Sequence, residues 1–267
     1  MTDKQPSAEA LSALLEAASQ AAVLGGDELC RLFRQTHQIR HKGLRDLVTE
    51  ADVASEQLVL QHLQRLFPRD AFLSEESFHD VPLPDQGICW VVDPLDGTTN
   101  YAHGVPVFSV SVAALQDGVP LVGVVYEPLR RWLFAAQRGG GAALNGAPLR
   151  ASGTPHLAGA VVGFDWGRQP QERMDIVEYL GRISPLAGTL RNMGSAALGL
   201  AYVAAGWLDL YLHLSLNLWD SAAGVLLVQE AGGQVSHRDG VPWGPVQRSC
   251  LATNGLLHRD VLRCLAS

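Results

Sequence analysis

Between residues 88 and 136 the sequence passes through four short apolar runs, 88–92, 108–115, 121–126 and 132–136, separated by turn residues. Their alternation and β-branched content mark them as strands, and their succession predicts neighbours in one antiparallel sheet. Two helices precede them. Over 7–36, Leu11, Leu14, Leu15, Ala18, Ala22, Leu29 and Phe33 keep helical spacing, with Gly25-Gly26 as the candidate interruption. Over 52–67, Leu58, Leu60, Leu63 and Leu66 do the same until Pro68 ends the run.

After Pro148 the pattern changes to strands at 159–164, 208–212 and 233–236 among helices at 171–183, 195–205 and 219–231. Such alternation predicts an α/β unit. At 267 residues the chain exceeds the usual single-domain size, so one large layered domain or two closely packed parts is expected, divided as 1–148 and 149–267. The glycine-rich stretch 138–142 is not followed by Lys-Ser/Thr and has strands on both sides. It reads as a tight turn leading to Asn145-Gly146, not as a phosphate loop.

Hydrophobic residues make up 47% and charged residues 18%, which excludes a disordered or fibrous chain. The net charge is -7, and no Lys/Arg run forms the stripe that a phosphate backbone demands, so nucleic acid is not expected as the main partner. An acidic pocket still accepts an anion when a divalent cation inverts its local charge. Cys30, Cys89, Cys250 and Cys264 are scattered without zinc-like spacing and read as reduced thiols of a cytoplasmic protein. Asp3, Lys4, Glu9 and Glu16 leave the N-terminal stretch without a signal-peptide core, and no later segment reads as a membrane span.

The chemistry concentrates at Asp93-Pro94-Leu95-Asp96-Gly97-Thr98-Thr99, where an apolar strand delivers two carboxylates to its end. Pro94 is expected to stop the strand ladder there. A turn needs one such acid; two, followed by Gly-Thr-Thr, suit a hard cation beside a phosphate held by the first amides of a short helix. Other acids carry two readings each. Glu75, in Ser-Glu-Glu-Ser, is either a surface acid or a ligand. Asp52 and Asp220 each stand at a helix start, where an ordinary N-cap is the alternative.

In this order, the segments 46–52, 74–77, 90–104, 194–206 and 218–233 closely resemble the inositol monophosphatase family of metal-dependent, lithium-sensitive phosphatases. The resemblance spans most of the chain and rests above all on the pairing of Asp-Pro-Leu-Asp-Gly-Thr with Trp-Asp-Ser-Ala-Ala-Gly. It implies an α+β fold, a layered αβαβα sandwich of the inositol monophosphatase and fructose-1,6-bisphosphatase type. It implies that Glu75, Asp93 and the Leu95 carbonyl hold one Mg2+, and that Asp93, Asp96 and Asp220 hold a second. Glu75 would face a third, weaker ion through water, and Mn2+ could substitute.

Thr98, paired with Asp52, would activate the attacking water, while Gly97 and Thr98 amides hold the phosphate. Ser195, Ala196 and His213 would join Asp96 and Asp220 in the substrate pocket. Residues 1–148 would then carry most ligands, and 149–267 would supply Asp220 and the pocket. A homodimer is implied as well. The expected reaction is hydrolysis of myo-inositol 1-phosphate or a similar small polyol or sugar phosphate.

Two departures bear on this. Ser74 stands where the family most often has Gly, and His213 stands where inositol-specific members usually place Glu. An imidazole cannot accept from two ring hydroxyls as a carboxylate does, but it can donate to a hydroxyl, a carboxylate or a second phosphate. Histidinol phosphate, fructose 1,6-bisphosphate and 3'-phosphoadenosine 5'-phosphate therefore stay open as substrates, as does His213 as a rim residue. Lys42 matches a family lysine near the metals or is a solvated loop lysine. A haloacid-dehalogenase-type phosphatase fits less well, because two residues, not one, separate Asp93 from Asp96. A binding protein that merely keeps the fold has no need of this set of acids.

Overall fold

The computed structural model describes residues 6–35, 39–77, 82–84, 86–246 and 248–266, without the side chains of His41, Lys42 and Asp46, so the Lys42 expectation lies outside it. Helix α1 (Ala8–Leu32) is capped by Ser7, whose hydroxyl accepts from the Ala10 amide at 3.2 Å. It runs unbroken through Gly25-Gly26, against expectation. A Cβ at Gly25 would lie 2.7 Å from Ser55 Oγ, and one at Gly26 would lie 2.6 Å from the Tyr126 ring. The glycines mark close approach, not a break.

A hairpin, β1 (Arg40–Gly43) with β2 (Asp46–Val48), leads into α2 (Glu50–Leu66). The large sheet then follows in chain order: β3 (Ala71–Ser74), β4 (Ile88–Asp96), β5 (Ser109–Gln116), β6 (Val119–Glu127), β7 (Trp132–Gln137), β8 (Gly141–Leu144) and β9 (Ala147–Pro148). The predicted antiparallel neighbours are all present, but the unpredicted edge strand β3 pairs parallel to β4. In the glycine-rich turn between β7 and β8, the Gly139 and Gly141 amides donate to the Glu230 carboxylate at 2.8 and 2.9 Å. That turn does grip an anion, and the anion is the protein's own.

After the short helix α3 (Thr98–Ala102), which sits between β4 and β5, the second half supplies β10 (Val161–Phe164), α4 (Pro170–Ile183), β11 (Thr189–Asn192) and α5 (Ala196–Ala204). Then come β12 (Leu210–His213), α6 (Leu218–Glu230), β13 (Gln234–Ser236), β14 (Cys250–Thr253) and α7 (His258–Ala266). The small sheet has the order β11-β10-β12-β14-β13, with β10 parallel to both β11 and β12. Strands β11 and β14 and helix α7 were not predicted.

Strand alternation explains the layers. Trp90 and Val92 of β4 face α1 and α2, packing with Leu14, Leu29 and Leu63. Val91 faces the other way, into a core shared with Ala197, Leu200 and Leu226 of α5 and α6 and with Tyr211 and Ala252 of the small sheet. Beyond that sheet, Val162 and Leu212 pack on Ile176 of α4 and Val261 of α7. The order is helix, sheet, helix, sheet, helix: the layered sandwich that the resemblance implied. Among the described residues no helix is long and apolar enough to cross a membrane.

Candidate active site

The site begins with an irregularity in β4. Asp93 pairs with Ser111 and Asp96 with Ser109, so three steps on β4 match two on β5. Pro94 supplies no amide to the ladder, and the extra residue makes a bulge that re-aims the strand. The ladder is thus interrupted at Pro94 and resumes at Asp96, where the sequence had suggested a stop. The Leu95 amide turns back to Asp93 Oδ1 at 3.0 Å. Gly97 follows at φ 92°, and a Cβ there would meet the Val107 and Gly194 carbonyls at 3.0 and 3.1 Å. Only glycine fits this corner.

Parallel pairing of β3 with β4 places Ser74 beside Val92, and hence Glu75 near Asp93. Asp220 arrives from the first turn of α6, where its Oδ2 also accepts from the Asn217 amide at 2.6 Å. Asn217 is the N-cap of α6, and Asp220, three residues on, is the acid of its capping box as well as a member of the acidic group, so the plain N-cap reading of Asp220 gives way to a double role. Glu75, Asp93 and Asp220 each offer an oxygen within 4.8 Å of the others. Burial, then Glu75, Asp96 and Asp220, push the Asp93 carboxyl well above its usual range. Burial, then Glu75, push Asp220 up to about 8. Carboxylates converging in this way, Asp93 buried and Glu75 and Asp220 half-buried, fit a hard divalent cation, whose charge removes the penalty they impose on one another.

Asp96 is engaged differently. Its oxygens accept from the Ser195 hydroxyl, from the Ala196 and Ala197 amides at 3.0 Å each, and from Ser109 Oγ at 3.3 Å. It anchors the N-terminus of α5, and burial still raises its carboxyl to about 6. The group of three mutually close oxygens does not include it. Ser195 and Ala196, expected in the substrate pocket, line the cavity and also hold Asp96.

Asp52 closes the site from α2. Its Oδ2 accepts from the Thr49 amide at 2.8 Å and the Thr49 hydroxyl at 2.7 Å. Its Oδ1 lies 3.1 Å from Thr98 Oγ1, which is also 3.0 Å from the Leu95 carbonyl. Burial raises Asp52 to about 6 against these hydrogen bonds.

A cavity of about 650 Å³ lies over the acids, and every predicted site residue except Asp52 lines it. His213 is buried in its wall. Its Nδ1 accepts from the Ser215 amide at 3.0 Å, so the ring proton sits on Nε2. Burial, then Arg168 and Arg248, lower its pKa to about 3, leaving a neutral donor at working pH.

Several functional contacts escaped the sequence reading. Parallel strands β10, β11 and β12 bring their carboxyl ends to one edge, and Asp165, Asn192 and His213 all reach the cavity from there. Asp165 accepts from the Gly194 amide at 2.5 Å, Met193 at 3.1 Å and Tyr211 Oη at 2.8 Å, and burial lifts it to about 7. Asn100 reaches the carbonyls of Val107 and Met193 at 2.9 and 3.0 Å. Arg168, 3.8 Å from Glu75, and Arg173, stacked on Trp166 at 5.0 Å, add positive charge to the cavity wall. An acid just past a parallel strand was the available signal for Asp165; nothing local marked the arginines.

These shifts fix a pH dependence for the metal-free protein. An unfolded Asp titrates near 3.8, whereas folded Asp165 and Asp220 titrate near 7 and 8. Between pH 6.5 and 8 the folded state therefore holds protons that the unfolded chain has released, and stability falls as pH rises. His213 acts in the opposite sense, but only below its unfolded value of 6.5. Melting in EDTA is predicted to drop by about a few degrees from pH 6.5 to 8, and saturating Mg2+ to remove most of that slope. A metal-free melting temperature that rises across this window would contradict the crowding of carboxylates.

Residues 10–266 match the inositol monophosphatase family. An inositol-1-monophosphatase of Synechocystis sp. is 41% identical over 260 residues, covering 96% of this chain and 90% of that protein. The Nus factor SuhB of Pseudomonas aeruginosa is 41% identical over 229 residues, covering 84% of each. Among solved structures, the extragenic suppressor protein suhB of Bartonella henselae superposes with a TM-score of 0.90 at 35% identity, covering 95% of this chain and 98% of that one. The inositol monophosphatase of Anabaena gives 0.86 at 37%, covering 96% of each. With its fold, its acidic cluster and this likeness along nearly its whole length, the chain belongs to the inositol monophosphatase family and is a phosphoric monoester hydrolase.

Proposed function

We propose that the protein hydrolyses myo-inositol 1-phosphate, or a similar small polyol or sugar phosphate, to alcohol and orthophosphate by direct attack of water in a Mg2+-dependent reaction. The observation that carries this is the convergence of Glu75, Asp93 and Asp220 beside the Thr98–Asp52 pair. Two to three Mg2+ ions, held by Glu75, Asp93, the Leu95 carbonyl, Asp96 and Asp220, would lower the pKa of water and neutralise charge on phosphate oxygens. Thr98 has one hydroxyl proton, directed at Asp52 or Leu95, so an oxygen lone pair is left to accept from water. Asp52, fixed by Thr49, draws the proton of that water through the Thr98 hydroxyl. The Gly97 and Thr98 amides, at the start of α3, would take phosphate oxygens. No covalent phosphoenzyme is required.

In this reading residues 1–148 supply most ligands, and 149–267 supply Asp220 and the substrate pocket. Family membership supports lithium inhibition and a homodimer as further proposals.

The neutral Nε2–H donor of His213, with Arg168 and Arg173 on the same cavity wall, favours a second reading in which the substrate carries another anionic group. A phosphate-release panel decides between the two. It compares myo-inositol 1-phosphate, fructose 1,6-bisphosphate, 3'-phosphoadenosine 5'-phosphate and histidinol phosphate with Mg2+, with and without Li+. The first is expected to lead in kcat/KM. A preference of about tenfold, ~1.4 kcal/mol of transition-state binding, for any of the others would overturn the substrate assignment and leave the reaction class intact.

A further inference from the structure

We propose that Glu56 is a positioning residue for the metal centre: it holds the 74–77 turn so that Glu75 is presented as a ligand. This rests on the metal-centre reading above. Glu56 lies one helical turn after Asp52 on α2 and is 2% exposed. Its Oε1 accepts from the Ser74 hydroxyl, the Glu76 amide at 3.1 Å and the Ser77 amide at 3.2 Å, and its Oε2 accepts from the Ser77 hydroxyl. These donors flank Glu75 on both sides. The Glu75 amide is itself tied to the Val92 carbonyl at 3.3 Å. With the turn backbone held from 74 to 77, the Glu75 side chain is directed into the cavity over the acids.

Burying a carboxylate here carries a desolvation cost that its four donors must offset, and an apolar side chain would fill the same space without that cost. Placement gives a reason for the carboxylate. Asp52, Ser55 and Glu56 form one polar stripe on the buried face of α2, at spacings of three and four residues. Asp52 meets Thr98, Ser55 Oγ donates to the Pro94 carbonyl at 2.8 Å, and Glu56 meets the 74–77 turn. One rigid helix thus aligns three segments that carry the site. Ser74, the departure from the family's usual Gly, gains a purpose: its hydroxyl is one of the donors to Glu56.

The test is Mn2+ binding to metal-stripped protein by calorimetry and by electron paramagnetic resonance, alongside the Mg2+ dependence of kcat. Glu56→Gln is expected to weaken Mn2+ binding about tenfold or more, as loss of a partner behind a metal ligand does, while kcat at saturating Mg2+ stays within about threefold. Melting of the metal-free variant should match wild type within a few degrees. Ser77→Ala, a milder change should Glu56→Gln fail to fold, is expected to shift Mn2+ binding in the same direction by less. Unchanged Mn2+ affinity in folded variants, or a fall in kcat that saturating Mg2+ does not restore, overturns the positioning role. A wild-type protein that binds no Mn2+ overturns the metal centre itself and this role with it.

Discussion

Asp93→Asn is expected to retain about a thousandth of wild-type turnover or less, because metal-ion catalysis supplies several kcal/mol and each 1.36 kcal/mol is a factor of ten. Asp93 is the buried centre of the acidic group, and its charge is opposed by Glu75, Asp96 and Asp220 at once. Asparagine keeps the oxygen that accepts from the Leu95 amide, so the bulge in β4 should survive. It also removes one of the mutually repelling charges. The metal-free variant is therefore predicted to melt at or above the wild-type temperature at pH 8, while Mn2+ binding is lost. Loss of activity with gain of stability is the mark of a group retained for function at a cost to the fold. A variant that is inactive because it unfolds, or that stays active, would contradict this.

Thr98→Ala is expected to lower kcat about a hundredfold, the lower range for a group that assists proton transfer, with Mn2+ affinity unchanged. The substitution deletes the hydroxyl that lies 3.1 Å from Asp52 Oδ1 and 3.0 Å from the Leu95 carbonyl, and leaves the Leu95 carbonyl and the three converging carboxylates in place to hold the metal. Asp52 remains held through its other oxygen by Thr49, so the capping box that starts α2 persists. Steady-state kinetics at saturating Mg2+ separate the two variants: Thr98→Ala loses rate with metal bound, whereas Asp93→Asn loses the metal. Parallel loss of metal affinity in Thr98→Ala would place the threonine in the ligand set instead.

Most of the fold was legible because its core strands and long helices repeat apolar residues at clean periods. The strands that escaped are short: β11 and β14 have four residues each, and β3 gains its place from parallel pairing with β4 rather than from its own pattern. Gly25 and Gly26 were misread because a sequence shows their conformational freedom but not the Ser55 and Tyr126 side chains that crowd them.

At the site, the acids near the β4 bulge stood out because two carboxylates exceed what a turn requires. The supporting groups did not. Glu56 falls among the polar positions of an amphipathic helix and looks like a solvated residue until the 74–77 turn is seen to close over it. Asp165 looks like a strand-end acid until the Met193 and Gly194 amides arrive from 28 and 29 residues away. His213 was visible as a departure, but its tautomer depends on the Ser215 amide, a contact of folded geometry.

The most direct measurement is orthophosphate release from myo-inositol 1-phosphate by protein stripped of metal and then titrated with Mg2+. Turnover should be negligible after stripping, return in proportion to Mg2+ occupancy measured in parallel, and remain absent in Asp93→Asn at any Mg2+ concentration. Equal release with and without Mg2+, or no release from any phosphomonoester at saturating Mg2+, would contradict water attack at an acidic metal centre.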